Sequence, residues 1–399
     1  MPSVRYRRRA NSALWIEIPV NAETEKVKIY RGLKDICFDR SPTTFIDGKA
    51  GVLRYRGYSI HDLAEHSGFE ETAYLLLHGE LPNRVELASF AQQLNDARGL
   101  PKPIYDVMEL VKDAHPMDVL RTAVSAIANF DDETTDNSPE ATLRKGIRLT
   151  SQVPSIVAAH HHIRSGREPI SPSDRLGHAA NFLYMLTGEE PSSNAAQLMD
   201  TDMVLHAEHG SNASAFTARV VTGTEANLHA SITAAIAALS GPAHGGAAEN
   251  VMRMAQEIGD PANAAEYVKH RRQNREAIMG FGHRVYRAED PRARHMRDGV
   301  KRLSEEMGDP IWHEILQAVV DAMKPYARHG VNVNVDFYAG VVYFLIGIPA
   351  DLFVPIFAVG RVPGWTVQVL EQMENNILIR PRLHYTGPAA RDYVPIEQR

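Results

Sequence analysis

The chain has 399 residues, 44% apolar and 23% charged, with a formal net charge of -6. That length corresponds to two or three domain-sized units with a substantial core, and the acidic balance argues against general nucleic-acid affinity, which shows as a basic excess. A run of 18 or more apolar residues is not found, so no membrane span is expected, and one cysteine, Cys37, leaves no internal disulfide and fits a reducing, cytoplasmic setting.

The N-terminus reads MPSVRYRRRANSALWIEIPV. Its basic cluster, Arg5, Arg7, Arg8 and Arg9, precedes an apolar part that is short and carries Glu17, a poor secretory segment, so it reads as a surface arm. WIEIPV alternates over a short distance, as a strand does. Cys37, between Ile36 and Phe38, is expected to be a small buried hydrophobe. The best strand signal is TTFIDGKAGVLRYRGYS, 43–59, with Asp47-Gly48 marking a turn between short runs of strand formers.

Beyond that, apolar residues recur at spacings of three and four, which predicts helices in FEETAYLLLHGEL, RVELASFAQQLNDARGL, SDRLGHAANFLYMLTG, NAAQLMDTDMVLHAEHG and PIWHEILQAVVDAMKPYARHG. ANLHASITAAIAALSGP is alanine-rich, apolar nearly all round, and stops at Gly241-Pro242, so it is expected to be buried on most sides. The polar stretches 131–141 and 258–265 read as connections, and the triple His160, His161, His162 as solvated histidines on a helix. Repeated strand–helix alternation and internal repeats are both lacking. The fold class is therefore mainly α, with a small β element near the N-terminus.

Four clusters hold residues suited to chemistry. In LHAEHGSNAS, His206 and His209 sit three apart, on one face if the helix continues; the spacing also suits zinc, but HxxH without a third ligand is a weak metal signal. In SGPAHGGAAEN, glycines after His244 let backbone approach a ligand, although glycine-rich helix connections also occur without function. In GFGHRVYRAEDPR, arginines that grip carboxylate or phosphate flank His283, a histidine able to polarise a carbonyl; the plain alternative is a charge-mixed helix start. In VNVNVDFYAGVVYFLIGIP, Asp336 lies in an apolar run, where burial raises a carboxylate toward the range of a general base; a helix cap or an arginine partner is the alternative. No phosphate-binding GxxxxGK[ST] loop, Rossmann fingerprint or GxSxG elbow is present. A base, an oxygen-polarising histidine and carboxylate clamps fit carbon–carbon bond formation through an enol on an anionic substrate.

With these motifs in this order, together with GRVPGW and ILIRPRLHYTG, the chain resembles the citrate synthase family from FIDGKAGVLRYRGYSI to its C-terminus. The resemblance implies that His244 stabilises the acetyl-CoA enolate, Asp336 removes the methyl proton, and His283 polarises the oxaloacetate carbonyl. It makes His209 an oxaloacetate-binding histidine, and Arg292 and Arg361 carboxylate-binding arginines. Arg380 matches an arginine donated by the neighbouring subunit, which implies a homodimer. Arg287 is a phosphate contact for coenzyme A, and Ile278, Met279, Gly280 and Gly282 form the loop that receives its adenine. Acetyl-CoA is a substrate; no permanent cofactor, metal, nucleic acid or membrane is implied. The family has a large helical domain, here 1–245 with 348–399, and a smaller closing domain, 246–347. Arg284, Arg287 and NVDFYAG favour citrate synthase over the related 2-methylcitrate synthases, whose motifs often read GFGHPVY and NLDWFSA, although an enzyme using both acyl-CoAs is compatible. Two remote alternatives are an inactive acyl-CoA-binding paralogue and a metal hydrolase at His206 and His209. With about 40 residues before TTFIDG, a short dimeric enzyme is expected rather than the NADH-sensitive hexamer.

Overall fold

The computed structural model describes residues 27–33 and 36–399. The N-terminal arginine cluster and the strand expected at WIEIPV lie outside them. The chain divides into two units, 1–40 with 380–399, and 41–379. The described part of the first is extended chain punctuated by 3-10 turns at Arg31–Leu33 and Ile396–Gln398. Cys37 is exposed, contrary to expectation. Its neighbour Ile36 is exposed too; a small apolar side chain is buried only where an element gathers others around it, and this segment forms none.

The second unit opens with a three-stranded antiparallel sheet, β1 Thr44–Asp47, β2 Val52–Tyr55 and β3 Tyr58–Ser59. Phe45 faces Arg54 and Ile46 faces Leu53 across β1 and β2. The turn forms where Asp47-Gly48 placed it, because the Asp47 carboxylate accepts the N–H groups of Lys49 and Ala50 at 2.9 and 3.0 Å. Leu53 and Tyr55 alternate inward and are buried.

Sixteen α-helices follow among the described residues: α1 Ile60–His66, α2 Phe69–His78, α3 Arg84–Asp96, α4 Lys102–Leu110, α5 Pro116–Ile127, α6 Pro139–Ile163, α7 His178–Thr187, α8 Ser193–His206, α9 Ala213–Thr222, α10 Leu228–Leu239, α11 Ala247–Ile258, α12 Ala264–Gln273, α13 Ala293–Met307, α14 Ile311–Ala327, α15 Asp336–Leu345 and α16 Phe353–Glu374. Each expected helix forms, with ends set by local chemistry. Asn83 and Glu86 build a reciprocal capping box at the start of α3, and left-handed Gly79 and Gly188 end α2 and α7.

Two expectations need correction. The stretch 131–141 is a connection only to Ser138, whose hydroxyl caps α6; Pro139 then occupies the first helical position, where its missing N–H costs nothing. The histidine triple is not solvated: His160 and His162 are buried, their Nε2 atoms bonded to the carbonyls of Lys112 (3.0 Å) and Met185 (2.9 Å). A single buried carbonyl satisfies an imidazole, so histidine suits a core that three in a row did not advertise.

Helix α16 is the centre of this unit and packs against α2, α5, α6, α8, α9, α10 and α11. By length and composition the helical stretch Ala350–Glu374 is apolar enough to cross a membrane, but 94% of its apolar window is buried, which makes it a core helix. Alanine-rich α10 packs on α9, α5, α16 and α6, buried on most sides as expected, with Ala230 and Ala237 left open. Gly364 of α16 has no space for a side chain, since a Cβ there runs into the Ala207 carbonyl. This close approach brings the C-terminal end of α8 against the middle of α16 and so sets the site.

Candidate active site

The end of α8 departs from the sequence reading. The helix stops at His206, so His206 and His209 do not share a helix face. The His206 ring turns back one turn, its Nδ1 donating to the Asp202 carbonyl at 2.9 Å. His209, in the loop that follows, bonds the Tyr286 hydroxyl at 3.0 Å through Nε2. Its ring lies 5.4 Å from that of His283, and burial, followed by the charge of Arg292, drives its pKa far below the ordinary value.

The GFGHRVYRAEDPR loop joins α12 to α13 and is laced to the strand-like residues 332–334. Phe281 and Val333 form an isolated antiparallel bridge. Gly282 N–H donates to the Asn332 carbonyl (2.7 Å), Asn334 N–H to the Gly280 carbonyl (2.9 Å), and Asp290 N–H to the Val333 carbonyl (3.0 Å). On its other side, Arg287 N–H donates to the carbonyl of Gly48 in the β1–β2 turn at 2.7 Å. Held this way, the loop curls around His283, whose Nδ1 accepts the N–H groups of Val285 (3.0 Å) and Tyr286 (3.1 Å). An imidazole that accepts at Nδ1 carries its hydrogen on Nε2. Burial, with the nearby Arg292 charge, pushes its pKa down to about 4, so at neutral pH His283 is an uncharged donor through Nε2.

His244 has the mirror arrangement. It lies between α10 and α11, against the first turn of α9. There the Ser214 backbone N–H, one of the unpaired donors of a helix start, points at His244 Nε2 (3.3 Å), with the Ser214 hydroxyl also at 2.9 Å. Trp365 of α16 fixes that hydroxyl through its indole N–H at 3.0 Å. Nε2 is therefore the acceptor and Nδ1 carries the hydrogen. Burial, then the charge of Arg361, lowers the pKa to about 4. His244, His206 and Arg361 all meet one side chain, Phe357, with ring contacts of 6.2 and 4.8 Å and the Arg361 guanidinium 4.5 Å over the ring.

Three charged groups complete the cluster. Asp336 is the first residue of α15. It keeps a sliver of accessible surface and makes no hydrogen bond to any described residue, yet protein surrounds it closely enough that burial raises its pKa above the ordinary carboxylate value. Arg361, buried in α16, donates through Nε to the His206 carbonyl, and burial lowers its pKa to about 10 against the opposing pull of Glu208. Arg292, at the start of α13, is gripped by Asp290: Nε and Nη2 donate to the two carboxylate oxygens at 2.9 and 2.7 Å, and its backbone N–H to Oδ1 at 3.1 Å. Both are buried. Burial alone opposes charging of either, but each more than offsets this for the other, so the acid is held below its usual range and the guanidinium above. Nη1 of Arg292 bonds to no described residue.

The remaining expected residues are placed as follows. Ile278 is buried and Met279 half-buried. Gly280 has φ 76°, and a Cβ there meets Phe337 at 2.5 to 2.9 Å, while Gly282 has φ 86° and open space. Gly280 thus has a packing reason for its identity that needs no ligand. Arg287 is exposed, its Nη1 donating to the His283 carbonyl at 3.0 Å. Arg380 is exposed and belongs to the first unit. Sequence reasoning missed Asp290, along with Tyr286, Ser214 and Trp365. The Asp-x-Arg spacing signals the first, since a carboxylate two residues before an arginine can reach both its side chain and its backbone; the others depend on contacts distant in sequence.

Known proteins correspond to this arrangement. The family model described as citrate synthase, C-terminal domain, matches residues 32–382. Citrate synthase 2 of Bacillus subtilis is 45% identical over 92% of this chain and 99% of its own. The 2-methylcitrate synthase 2 of Corynebacterium glutamicum is 40% identical over 93% of this chain and 98% of its own. Among solved structures, citrate synthase from Pyrobaculum aerophilum superposes with a TM-score of 0.88 at 39% identity, covering 93% of this chain and 95% of that one. The ternary complex of citrate synthase from Thermoplasma acidophilum with carboxymethyl coenzyme A and oxaloacetate gives 0.86 at 32% identity, covering 93% and 100%. The chain belongs to the citrate synthase family.

Proposed function

We propose that this protein is a citrate synthase, a transferase that condenses acetyl-CoA with oxaloacetate and water to give citrate and CoA. The observation that carries the reading is the pair of oppositely pinned histidines, linked to Asp336 through the arginines that act on both, Arg361 for His244 and Arg292 for His283. Each has one ring nitrogen occupied by backbone N–H groups, and each has a pKa near 4. Each therefore presents a single N–H from an uncharged ring: Nδ1 of His244 and Nε2 of His283.

The thioester methyl is a very weak acid, so a carboxylate alone does little with it. Asp336, strengthened as a base by burial, takes the methyl proton while the C–H electron pair moves into the enolate. His244 Nδ1–H receives the charge that develops on the thioester oxygen. The enolate carbon attacks the keto carbon of oxaloacetate, whose oxygen is polarised by His283 Nε2–H. Arg361, Nη1 of Arg292 and His209 hold the carboxylates and fix the approach. Water then cleaves the thioester and releases CoA. Ile278, Met279, Gly280 and Gly282 receive the adenine, and Arg287 a phosphate. Residues 246–347 act as the smaller domain that closes over the substrates and keeps water from the thioester until the bond has formed. Arg380 completes the site of a second copy in a homodimer, and the setting is the cytoplasm.

The test is release of free CoA thiol from oxaloacetate with acetyl-CoA or propionyl-CoA. Acetyl-CoA is expected to give clearly the higher kcat/KM. The 40% identical 2-methylcitrate synthase supports a second reading, which equal or reversed values would establish.

A further inference from the structure

The mechanism leaves one buried polar array unused. Tyr343 of α15 donates to Asp202 Oδ2 of α8 at 2.6 Å. The Asp202 carbonyl accepts from His206 Nδ1 at 2.9 Å, and Oδ1 of the same residue lies 3.1 Å from that nitrogen without a hydrogen bond to any described residue. Asp202 and His206 are each 1% exposed and Tyr343 2%. The Nδ1 contact leaves Nε2 of His206 as a lone-pair acceptor, and that nitrogen is buried without any hydrogen-bond partner among the described residues. An orphan acceptor at such depth costs free energy unless something uses it.

The spacing along two helices and the charges acting on Asp336 indicate the neighbour of that nitrogen. Asp336 and Tyr343 are seven apart on α15, two turns along one face, and Asp202 and His206 are four apart on α8, one turn along its face. Tyr343 docked on Asp202 ties the two helices together, and the charge of His206 acts on Asp336 more than any other, which sets the start of α15 beside the end of α8. The groups that act on the Asp336 charge are His206 and Asp202 from α8, Arg292 and Asp290 from the site loop, Arg361 from α16 and Tyr343 from its own helix.

We propose that Asp202 and His206 are positioning residues that tune Asp336: His206 Nε2 accepts a hydrogen bond from the Asp336 carboxyl once that carboxyl has taken the substrate proton, and Asp202 keeps the His206 proton on the far nitrogen. The balance is simple. The methyl C–H bond breaks, an O–H bond forms on Asp336, and the new O–H meets an acceptor already in place; the proton stays on Asp336 until it is returned. A charge on His206 opposes protonation of Asp336 and weighs more than the like charge of Asp202, which favours it, so the accepting role needs the uncharged ring that the Nδ1 contact leaves.

The inference rests on the condensation reading, and its test separates the two. Asp202→Asn keeps the shape and the backbone carbonyl that pins His206 but removes the charge. Loss of a like charge lowers the Asp336 pKa, so the acid limb of the kcat–pH profile moves to lower pH. The plateau kcat falls about tenfold, as expected for a weakened general base, while KM for oxaloacetate is unchanged. Infrared titration of the Asp336 carboxyl, identified as the band absent from Asp336→Asn, reports the same downward movement without any substrate. His206→Gln, with a carbonyl oxygen to accept at the Nε2 position, retains about tenfold more activity than His206→Leu. A wild-type enzyme with turnover whose acid limb and carboxyl band do not move in Asp202→Asn overturns the proposal. A carboxyl band that moves in a protein without turnover sinks the condensation reading and with it the substrate-proton step, and leaves standing only the tuning of Asp336 by Asp202. If His206→Leu does not fold, Asp202→Asn decides the matter.

Discussion

Replacing Asp336 with Asn separates its two roles, as base and as a buried charge. Asn has the same shape and no basic oxygen, so the enolisation step loses its proton acceptor. A positioned general base is worth roughly 100- to 10,000-fold, or about 3 to 5 kcal/mol at 1.36 kcal/mol per tenfold. Oxaloacetate is held by Arg292, Arg361 and His209, so its KM is expected to stay within about twofold. Stability moves the other way. A carboxyl whose pKa is raised by folding binds protons more tightly in the native state. It therefore destabilises the fold progressively as pH rises above its unfolded value of about 3.9. Asp336→Asn removes that penalty, so the variant melts higher than wild type at pH 7, and the gain shrinks toward pH 4. CoA-thiol release, measured across oxaloacetate concentrations, and thermal melts at several pH values give both quantities. Near-normal kcat in a folded Asp336→Asn protein would refute the assignment of the base, and a lower melting temperature at pH 7 would refute the burial argument.

Arg380→Ala and Asp336→Asn are each expected to be nearly inactive as purified proteins. Mixed and allowed to exchange subunits, they regain activity only if Arg380 serves the neighbouring copy, because one site of the hybrid then has both residues; no recovery argues that Arg380 acts within its own chain. Gly280→Ala is expected to lower the melting temperature, since a left-handed backbone alone costs about 1–2 kcal/mol and the new Cβ meets Phe337 at 2.5 to 2.9 Å. Gly282→Ala has open space, so it incurs only the backbone share and shows itself in a raised KM for acetyl-CoA. The His178 ring lies tilted against Phe69 at 4.8 Å, and burial, with Arg98, lowers its pKa to about 3. The unfolded chain takes up this proton below about pH 6.5 and the native one does not, which costs roughly 2 kcal/mol of stability between pH 6.5 and 5. His178→Phe flattens the fall in melting temperature over that range, and His229, also lowered to about 4, supplies part of what remains.

By itself the sequence determined the helices and the nature of the reactive groups. Spacing of apolar residues and the Asp47 turn are short-range physics, complete within a few residues of chain, and they form as read; the caps at Asn83, Gly79 and Gly188 are equally local. His244, His283 and Asp336 are singled out by local oddity, a polar group among glycines or apolar residues. What only the tertiary structure decided is which atom of each group is free to act. The hydrogen of His244 is placed on Nδ1 by a backbone amide at Ser214, thirty residues away, and the grip of Asp290 on Arg292 becomes strong only because both are buried. The end of α8 was misread as continuous helix, and the burial of His160 and His162 went unseen. Each depends on partners such as Tyr286, Lys112 and Met185 that are distant in sequence. Tautomer, desolvation and charge pairing are properties of a surrounding, and the surrounding exists only once α8, α15, α16 and the site loop have packed together.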